Sequence, residues 1–269
     1  MITKFFKIDK IPLKKVLENN SLNYVHMYIN KSEKEMFPQI IRSITIVLSA
    51  FLISLVTLSN GYIFILLSTC ILIYVFLLYL KSPKYLKKLN YEILKYVCVQ
   101  NSFIFYITTL IAQVSKNDLL NTLLAILFVI VSYAISLYIA YIRILGAIES
   151  KYSIGKQTDH SFINWSKIRK ILIYTVGFII VAMQFYRFNK WWINDTNSDF
   201  LAVLNGTLLG DVFSIVIVTI ALCILTFITL LPLLVLNSKI IADGLVFKYF
   251  SEKLRTTNEF TKIEWYGDI

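Results

Sequence analysis

The chain has 269 residues, of which 57% are hydrophobic and only 16% are charged, and its mean hydropathy of +0.68 excludes a single soluble globular domain. The charged residues are confined to particular stretches, and uncharged runs of membrane-spanning length lie between them. The formal net charge of +11 comes from lysines and arginines that flank those runs, so we expect these residues to contact anionic lipid headgroups and not nucleic acid.

The first apolar run is preceded by a basic, amphipathic segment, residues 1–39. Apolar residues alternate with five lysines between Lys4 and Leu17. A segment of this kind places its apolar side chains in the membrane surface and its lysines at the headgroups. We therefore predict an interfacial N-terminal segment on the cytoplasmic side, with docking of a cytoplasmic partner as the alternative role.

Six apolar runs follow within residues 40–236, and they predict an all-α integral membrane protein with a six-helix transmembrane bundle. The pair Asn60-Gly61 predicts a tight turn between the first two runs, and Pro232 predicts a kink near the end of the last. The third run is the most polar of the six. The predicted spans are residues 40–59, 62–80, 96–114, 119–142, 171–193 and 212–236.

The distribution of basic residues predicts the orientation of the bundle. Counting Arg42 with the N-terminal segment, 24 of the 27 lysines and arginines lie in that segment, in the connections after spans two and four, and in residues 237–269. Only Lys116, Arg187 and Lys190 lie in the other connections. Positive charge stays in the cytoplasm, so both termini are predicted there, in a bacterial cytoplasmic membrane. Residues 237–269 are predicted to be a cytoplasmic tail that starts with an interfacial amphipathic helix.

Polar side chains in the third span are the first candidates for a functional site. Gln100, Asn101 and Ser102 are consecutive, and Gln113 lies nearer the outer end, where Gln184 of the fifth span is a possible partner. Amide groups in hydrocarbon are costly unless they are hydrogen-bonded. Polar contacts between helices are the favoured interpretation, and the lining of a substrate path is the functional alternative.

Small residues recur every fourth position in the fourth span, at Ser132, Ser136 and Ala140. This spacing lets two helices approach each other closely in a bilayer. We predict that the three residues form a helix packing seam.

Residues with known catalytic or metal-binding patterns do not occur in the sequence. His26 and His160 lie in separate hydrophilic segments without a nearby cluster of cysteines or carboxylates, and no nucleotide-binding glycine loop is present. We therefore expect no catalytic residue, no metal and no cofactor, and a protein that is not an enzyme.

The layout of six spans, an amphipathic N-terminal segment and inward termini is similar to that of the membrane subunits of ABC-type exporters. The resemblance is one of topology only, since no motif residue matches and the tight turn after the first span departs from that pattern. It implies a permease-like subunit that exports a peptide or another small amphipathic substrate with the help of a separate cytoplasmic ATPase.

Two other functions remain open. One is an immunity protein against a bacteriocin or another membrane-active peptide toxin. Its candidate recognition surface is the predicted outer loop, which contains Trp191, Trp192, Asp195 and Asp199. The other is a membrane-bound lipid-modifying enzyme, for which His160 is the most plausible general base.

Overall fold

The structure of the chain is a computed structural model that describes residues 6, 8–34, 36–55, 62–111, 118–152 and 224–267, together with 167, 170, 171, 173 and 174. All secondary structure in these residues is helical, and they contain no strand. The prediction of an all-α chain is confirmed for this part. The turn at Asn60-Gly61, most of the span 171–193 and residues 212–223 lie outside the described residues.

We number the described α-helices in chain order. They are α1 (Leu13–Asn19), α2 (Leu22–Lys34), α3 (Met36–Ser54), α4 (Tyr62–Leu80), α5 (Lys87–Ile111), α6 (Asp118–Tyr152), α7 (Ser238–Tyr249), α8 (Ser251–Thr257) and α9 (Lys262–Tyr266). Short 3-10 helices form at Ile8–Lys10, Lys84–Leu86 and Leu231–Leu234. A further helical segment, Ile224–Leu234, leads into the last of these.

Three helices in the described part are long and apolar enough to cross a membrane. The qualifying stretches are Phe37–Ser54, Tyr62–Leu80 and Asn121–Tyr152. A fourth crossing results if Ile224–Leu234 and Ser238–Tyr249 form one span, which would bend by 64°. The structure therefore supports an integral membrane protein with three to four spans among the described residues, and the six-span count and the orientation remain predictions.

The third predicted span, 96–114, belongs to a helix that starts earlier than we expected and has the polar character that we predicted for this span. Helix α5 begins at Lys87, and its first turns carry lysines and Glu92. This helix is not among the stretches that are apolar enough to qualify as a membrane crossing. It is nevertheless the central element of the bundle, because it packs against α3, α4, α6 and α7.

Helix α6 continues ten residues past the predicted end of the fourth span, from 142 to Tyr152. Its 35 residues correspond to about 52 Å at 1.5 Å per residue. The hydrocarbon core of a bilayer is only about 30 Å thick. One end of α6 must therefore project well beyond the membrane.

The two ends of the chain fold together against the end of α6 near Tyr152, which is the end that projects. We call residues 8–29 and 238–266, which include α1, α7, α8 and α9, the terminal cap. The cap and the adjoining ends of α5 and α6 share one hydrophobic core. Its fully buried members are Ile8, Val16, Val25, Ile29, Ile148, Tyr152, Leu233, Val246, Phe247, Leu254 and Trp265.

The terminal cap brings together two segments, residues 1–39 and 237–269, that we predicted separately as an interfacial segment and a cytoplasmic tail. The reason lies in α7, whose sequence SKIIADGLVFKY has no solvent-facing stripe of polar residues. Residues Ile241, Ala242, Asp243, Gly244, Val246 and Phe247 are all buried. Helix α7 is therefore packed inside the protein over most of its circumference, and the position of the terminal cap relative to the membrane stays a prediction.

A helix break precedes α7 at the position where Pro232 predicted a kink. The segment Ile224–Leu234 ends in a 3-10 turn in which the Leu233 amide donates to the Leu230 carbonyl at 3.0 Å. In an α-helix, the same amide would bond the carbonyl of Thr229. The break therefore releases the Thr229 carbonyl inside the protein.

Candidate functional site

Two clusters of buried polar side chains stand out in the described part of the chain. One lies among the membrane helices, at Ser68, Tyr96, Gln100, Asn101, Ser132, Tyr133, Ser136 and Thr229, and we call it the intramembrane polar layer. The other, at Asn20, Tyr24, Lys151, Tyr152 and Asp243, joins the terminal cap to α6, and we call it the cap network.

Asn101 is the centre of the intramembrane polar layer. Its amide nitrogen donates to the Ser68 hydroxyl on α4 at 2.6 Å, and the Tyr133 hydroxyl on α6 donates to its carbonyl oxygen at 2.8 Å. The Asn101 side chain is fully buried. Asn101 thus connects three helices, in the manner expected of an amide that must be hydrogen-bonded in an apolar environment.

Gln100 binds the carbonyl that the helix break releases. Its Nε2 donates to the Thr229 oxygen at 2.9 Å, and both residues are buried. Its Oε1 has no hydrogen-bond partner among the described residues. Ser102, the third of the predicted polar residues, donates to the Cys98 carbonyl of its own helix at 2.9 Å and makes no hydrogen bond to another helix among the described residues.

The residues of the predicted packing seam, Ser132, Ser136 and Ala140, are all buried. The Ser136 and Tyr96 hydroxyls share a hydrogen bond of 2.5 Å between the antiparallel helices α6 and α5. Gln100 lies one helical turn after Tyr96 on α5, and Ser132 lies one turn before Ser136 on α6. Because the helices are antiparallel, Gln100 and Ser132 are at the same level of the interface. The Ser132 hydroxyl is buried, and it has no hydrogen-bond partner in the described part of the chain.

The other residues that we predicted for functional sites lie outside the described residues. These are Gln113, Gln184, Trp191, Trp192, Asp195, Asp199 and His160. His26 is described and packs its ring against Phe260, with 4.3 Å between the ring centroids. Among the described residues, no three histidines, cysteines or carboxylates come together as a metal site would require.

Replacing Gln100 with Leu is expected to destabilise the protein by about 1–3 kcal/mol, because it leaves the buried Thr229 carbonyl without its donor. Ser102→Ala is the matched control, since it removes a buried side-chain hydrogen bond that stays within α5. Unfolding of the detergent-solubilised protein by added SDS would measure the stability of both variants. Equal stability of the two variants would show that the contact between Gln100 and Thr229 contributes no more than the hydrogen bond of Ser102 within α5.

The cap network is built around the Asp243 carboxylate of α7, which is only 3% exposed. The Lys151 ammonium donates to Oδ1 at 2.6 Å, the Tyr152 hydroxyl donates to the same oxygen at 3.1 Å, and the Tyr24 hydroxyl donates to Oδ2 at 2.5 Å. A buried carboxylate is tolerated only when it is paired and hydrogen-bonded, and this one is both.

Asn20 extends the cap network to the N-terminal segment. Its side-chain oxygen accepts from Lys151 at 2.8 Å, and its amide nitrogen donates to the Tyr152 hydroxyl at 3.0 Å. The network therefore ties together three parts of the chain that are more than 80 residues apart. These are the N-terminal segment, the projecting end of α6 and α7.

The tyrosines of α2 stay protonated at the edge of the cap network. Burial raises the pKa of Tyr24 above its usual value, and the hydrogen bond to the Asp243 carboxylate raises it further. Burial and the charge of Asp243 also raise the pKa of Tyr28. The Tyr24 hydroxyl can therefore act as a donor to the carboxylate throughout the physiological pH range.

We did not predict the cap network. We predicted that residues 237–269 form a cytoplasmic tail that starts with an interfacial amphipathic helix, and this prediction gave Asp243 no buried partner. The available signal was Asp243 itself, which stands in the run IIADGLVF with no charged residue within three positions on either side. An isolated carboxylate in such a run is either exposed on a turn or buried with a partner.

Comparison with known proteins supplies no relative from which a role could be transferred: no protein-family model, no curated protein and no solved structure matches the chain.

Proposed function

We propose that the protein is the membrane subunit of an export system, without a catalytic group of its own, and that it moves a peptide or another small amphipathic substrate with a separate cytoplasmic ATPase. The observation that carries this proposal is the attachment of the terminal cap to α6. A subunit driven by a separate ATPase needs a folded element outside the membrane and a rigid connection from that element to its spans.

Helix α6 provides such a connection. It is continuous from Asp118 to Tyr152, and its projecting end is bound to α7 through Lys151 and Asp243. Helix α7 also packs directly on α5, where Gly244 lies against Leu89. A force applied to the terminal cap would thus reach α5 and α6, two of the helices that carry the intramembrane polar layer. With the orientation predicted from the basic residues, the cap would face the cytoplasm.

The interface of α5 and α6 is the candidate substrate contact. Gln100 Oε1 and Ser132 Oγ lie at the same level of this interface, and both have unused hydrogen-bonding capacity among the described residues. A path for a peptide requires polar groups of this kind, because the substrate brings its own amide donors into the membrane.

Affinity purification of the detergent-solubilised protein from its native membrane, followed by mass spectrometry, tests the proposal. We expect an ATPase to accompany the wild-type protein, and to be lost when the cap is loosened by Asp243→Ala while the variant remains in the membrane. Purification without any ATPase, from membranes in which the transport system is produced, would refute the export function.

A protective role against a membrane-active peptide toxin is the second candidate, and the hydrogen bonds of Asn101 favour it. They hold α4, α5 and α6 together as a static bundle, and a protein that only intercepts a toxin needs no movable path. The variant with Trp191→Ala and Trp192→Ala should then lose resistance at an unchanged protein level. Unchanged resistance would remove the outer loop as the recognition surface.

A further inference from the structure

The turn between α4 and α5 combines a basic cluster with an exposed apolar helix face. Residues 81–95 contain five lysines and one acidic residue, Glu92. The last turns of α4 leave large apolar side chains exposed directly before this cluster. We propose that this turn, with Lys81 and Lys87 as its main contacts, binds the phosphate of an anionic phospholipid, a site that does not depend on the export function.

Lys87 is held in place at the end of α4. Its ammonium donates to the carbonyls of Tyr79 at 3.1 Å and Leu80 at 2.8 Å, and it lies 5.3 Å from the centroid of the Tyr79 ring. An ammonium group has three donors, so one N–H remains for a ligand. Burial lowers the pKa of Lys87, and a bound phosphate would offset this desolvation by stabilising the charged form.

The acidic residues near the turn have other partners. Glu92 is paired with Lys95 at 2.8 Å. Glu264 of α9 is held in a capping box, where it accepts from the Thr261 amide at 2.8 Å. Lys81 is exposed, and no ion pair of Lys81 or Lys87 occurs among the described residues. The turn therefore has positive charge available to an external anion.

The apolar face of α4 identifies the anion as a lipid headgroup and not free phosphate. Tyr74, Leu77, Leu78 and Leu80 are all more than 40% exposed. In a membrane, this face contacts acyl chains, and lysines at the end of such a helix reach the level of the phosphates. A phospholipid can occupy both surfaces at once, whereas inorganic phosphate can use only the lysines.

Native mass spectrometry of the purified protein with added phosphatidylglycerol or phosphatidylcholine tests the site. The variant Lys81→Gln with Lys87→Gln should bind phosphatidylglycerol about 25-fold more weakly, at about fivefold for each lysine near a membrane surface. Lys253→Gln with Lys262→Gln removes two exposed lysines of the terminal cap and should bind as the wild type does. Lys87→Arg keeps the charge and should also retain binding.

Three results would overturn the proposal. Phosphatidylcholine could bind the wild type as tightly as phosphatidylglycerol does, or the cap variant could lose as much binding as the turn variant. Inorganic phosphate at millimolar concentration could displace the lipid, which would identify a free anion as the ligand. The melting temperature of each variant without lipid shows whether the variant folds. If a glutamine variant fails to fold, Lys87→Arg still tests the proposal, because it keeps the charge and should retain binding.

Discussion

Replacing Lys151 with Met is expected to destabilise the folded protein by about 3 kcal/mol, because it leaves the buried Asp243 carboxylate without its ion-pair partner. The buried carboxylate cannot recover its hydration in the folded state, although the Lys151 side chain is 29% exposed. The hydroxyls of Tyr24 and Tyr152 remain as donors, and they place the expected loss at the lower end of the range for buried ion pairs. Unfolding in mixtures of detergent and SDS measures the change.

The exposed ion pair between Lys14 and Glu18 provides the matched control for Lys151→Met. Its side chains are 88% and 59% exposed and 4.0 Å apart, so Lys14→Met should change the stability by less than about 0.5 kcal/mol. Adding Asp243→Asn to Lys151→Met removes the unpaired charge and should recover part of the loss. If Lys151→Met proves as mild as Lys14→Met, the cap network does not hold the cap.

Lys151→Met also tests whether the ion pair transmits force from the terminal cap to the membrane spans, as the proposed function requires. The cap network connects the terminal cap to α6 directly, since the Lys151 ammonium and the Asp243 carboxylate form an ion pair at 2.6 Å. A Lys151→Met protein that still reaches the membrane should therefore export less and, like Asp243→Ala, should retain less of its ATPase. Undiminished export by this variant would show that force does not pass through the ion pair.

Local signals in the sequence were sufficient for the helical class and for individual breaks in helices. Uncharged runs identified the apolar helices α3, α4 and α6, and Pro232 identified the break before α7 because a missing amide donor acts locally. The polar character of the third span was also visible in its residues. The structure adds that α5, in which this span lies, is the central packing element.

Contacts between distant residues could not be predicted in the same way. Gln100 bonds a carbonyl 129 positions away, and its partner became available only because of a 3-10 turn. The Asp243 site draws its donors from α2 and from the end of α6, which no local pattern connects. Hydrophobic periodicity shows that a helix has a buried face, but it does not show which other segment covers that face.

Gly244 is the clearest case of a residue whose role depends on such a distant contact, and Gly244→Ala is expected to destabilise the protein by about 1–3 kcal/mol. An added Cβ would lie 2.6 Å from Leu89 Cβ and 3.1 Å from Leu89 Cγ. Leu89 is 3% exposed, and its Cβ cannot move without its backbone. Ala is otherwise favoured over Gly in a helix by about 1 kcal/mol, so a net loss would reflect the close approach of α7 to α5.

Gly146 of α6 is the matched control for Gly244→Ala, because an added Cβ there meets no atom of the described residues within 4 Å apart from the backbone of its own helix. Gly146→Ala should leave the stability unchanged or raise it by up to about 1 kcal/mol. A second test uses the atom that causes the clash. Gly244→Ala should cost as much in a Leu89→Ala background as in the wild type, since Ala keeps the Cβ, and should cost little in a Leu89→Gly background. If Gly244→Ala costs less in the Leu89→Ala background than in the wild type, the clash comes from the outer atoms of the Leu89 side chain. The distance between the added Cβ and Leu89 Cβ would then be longer than 2.6 Å.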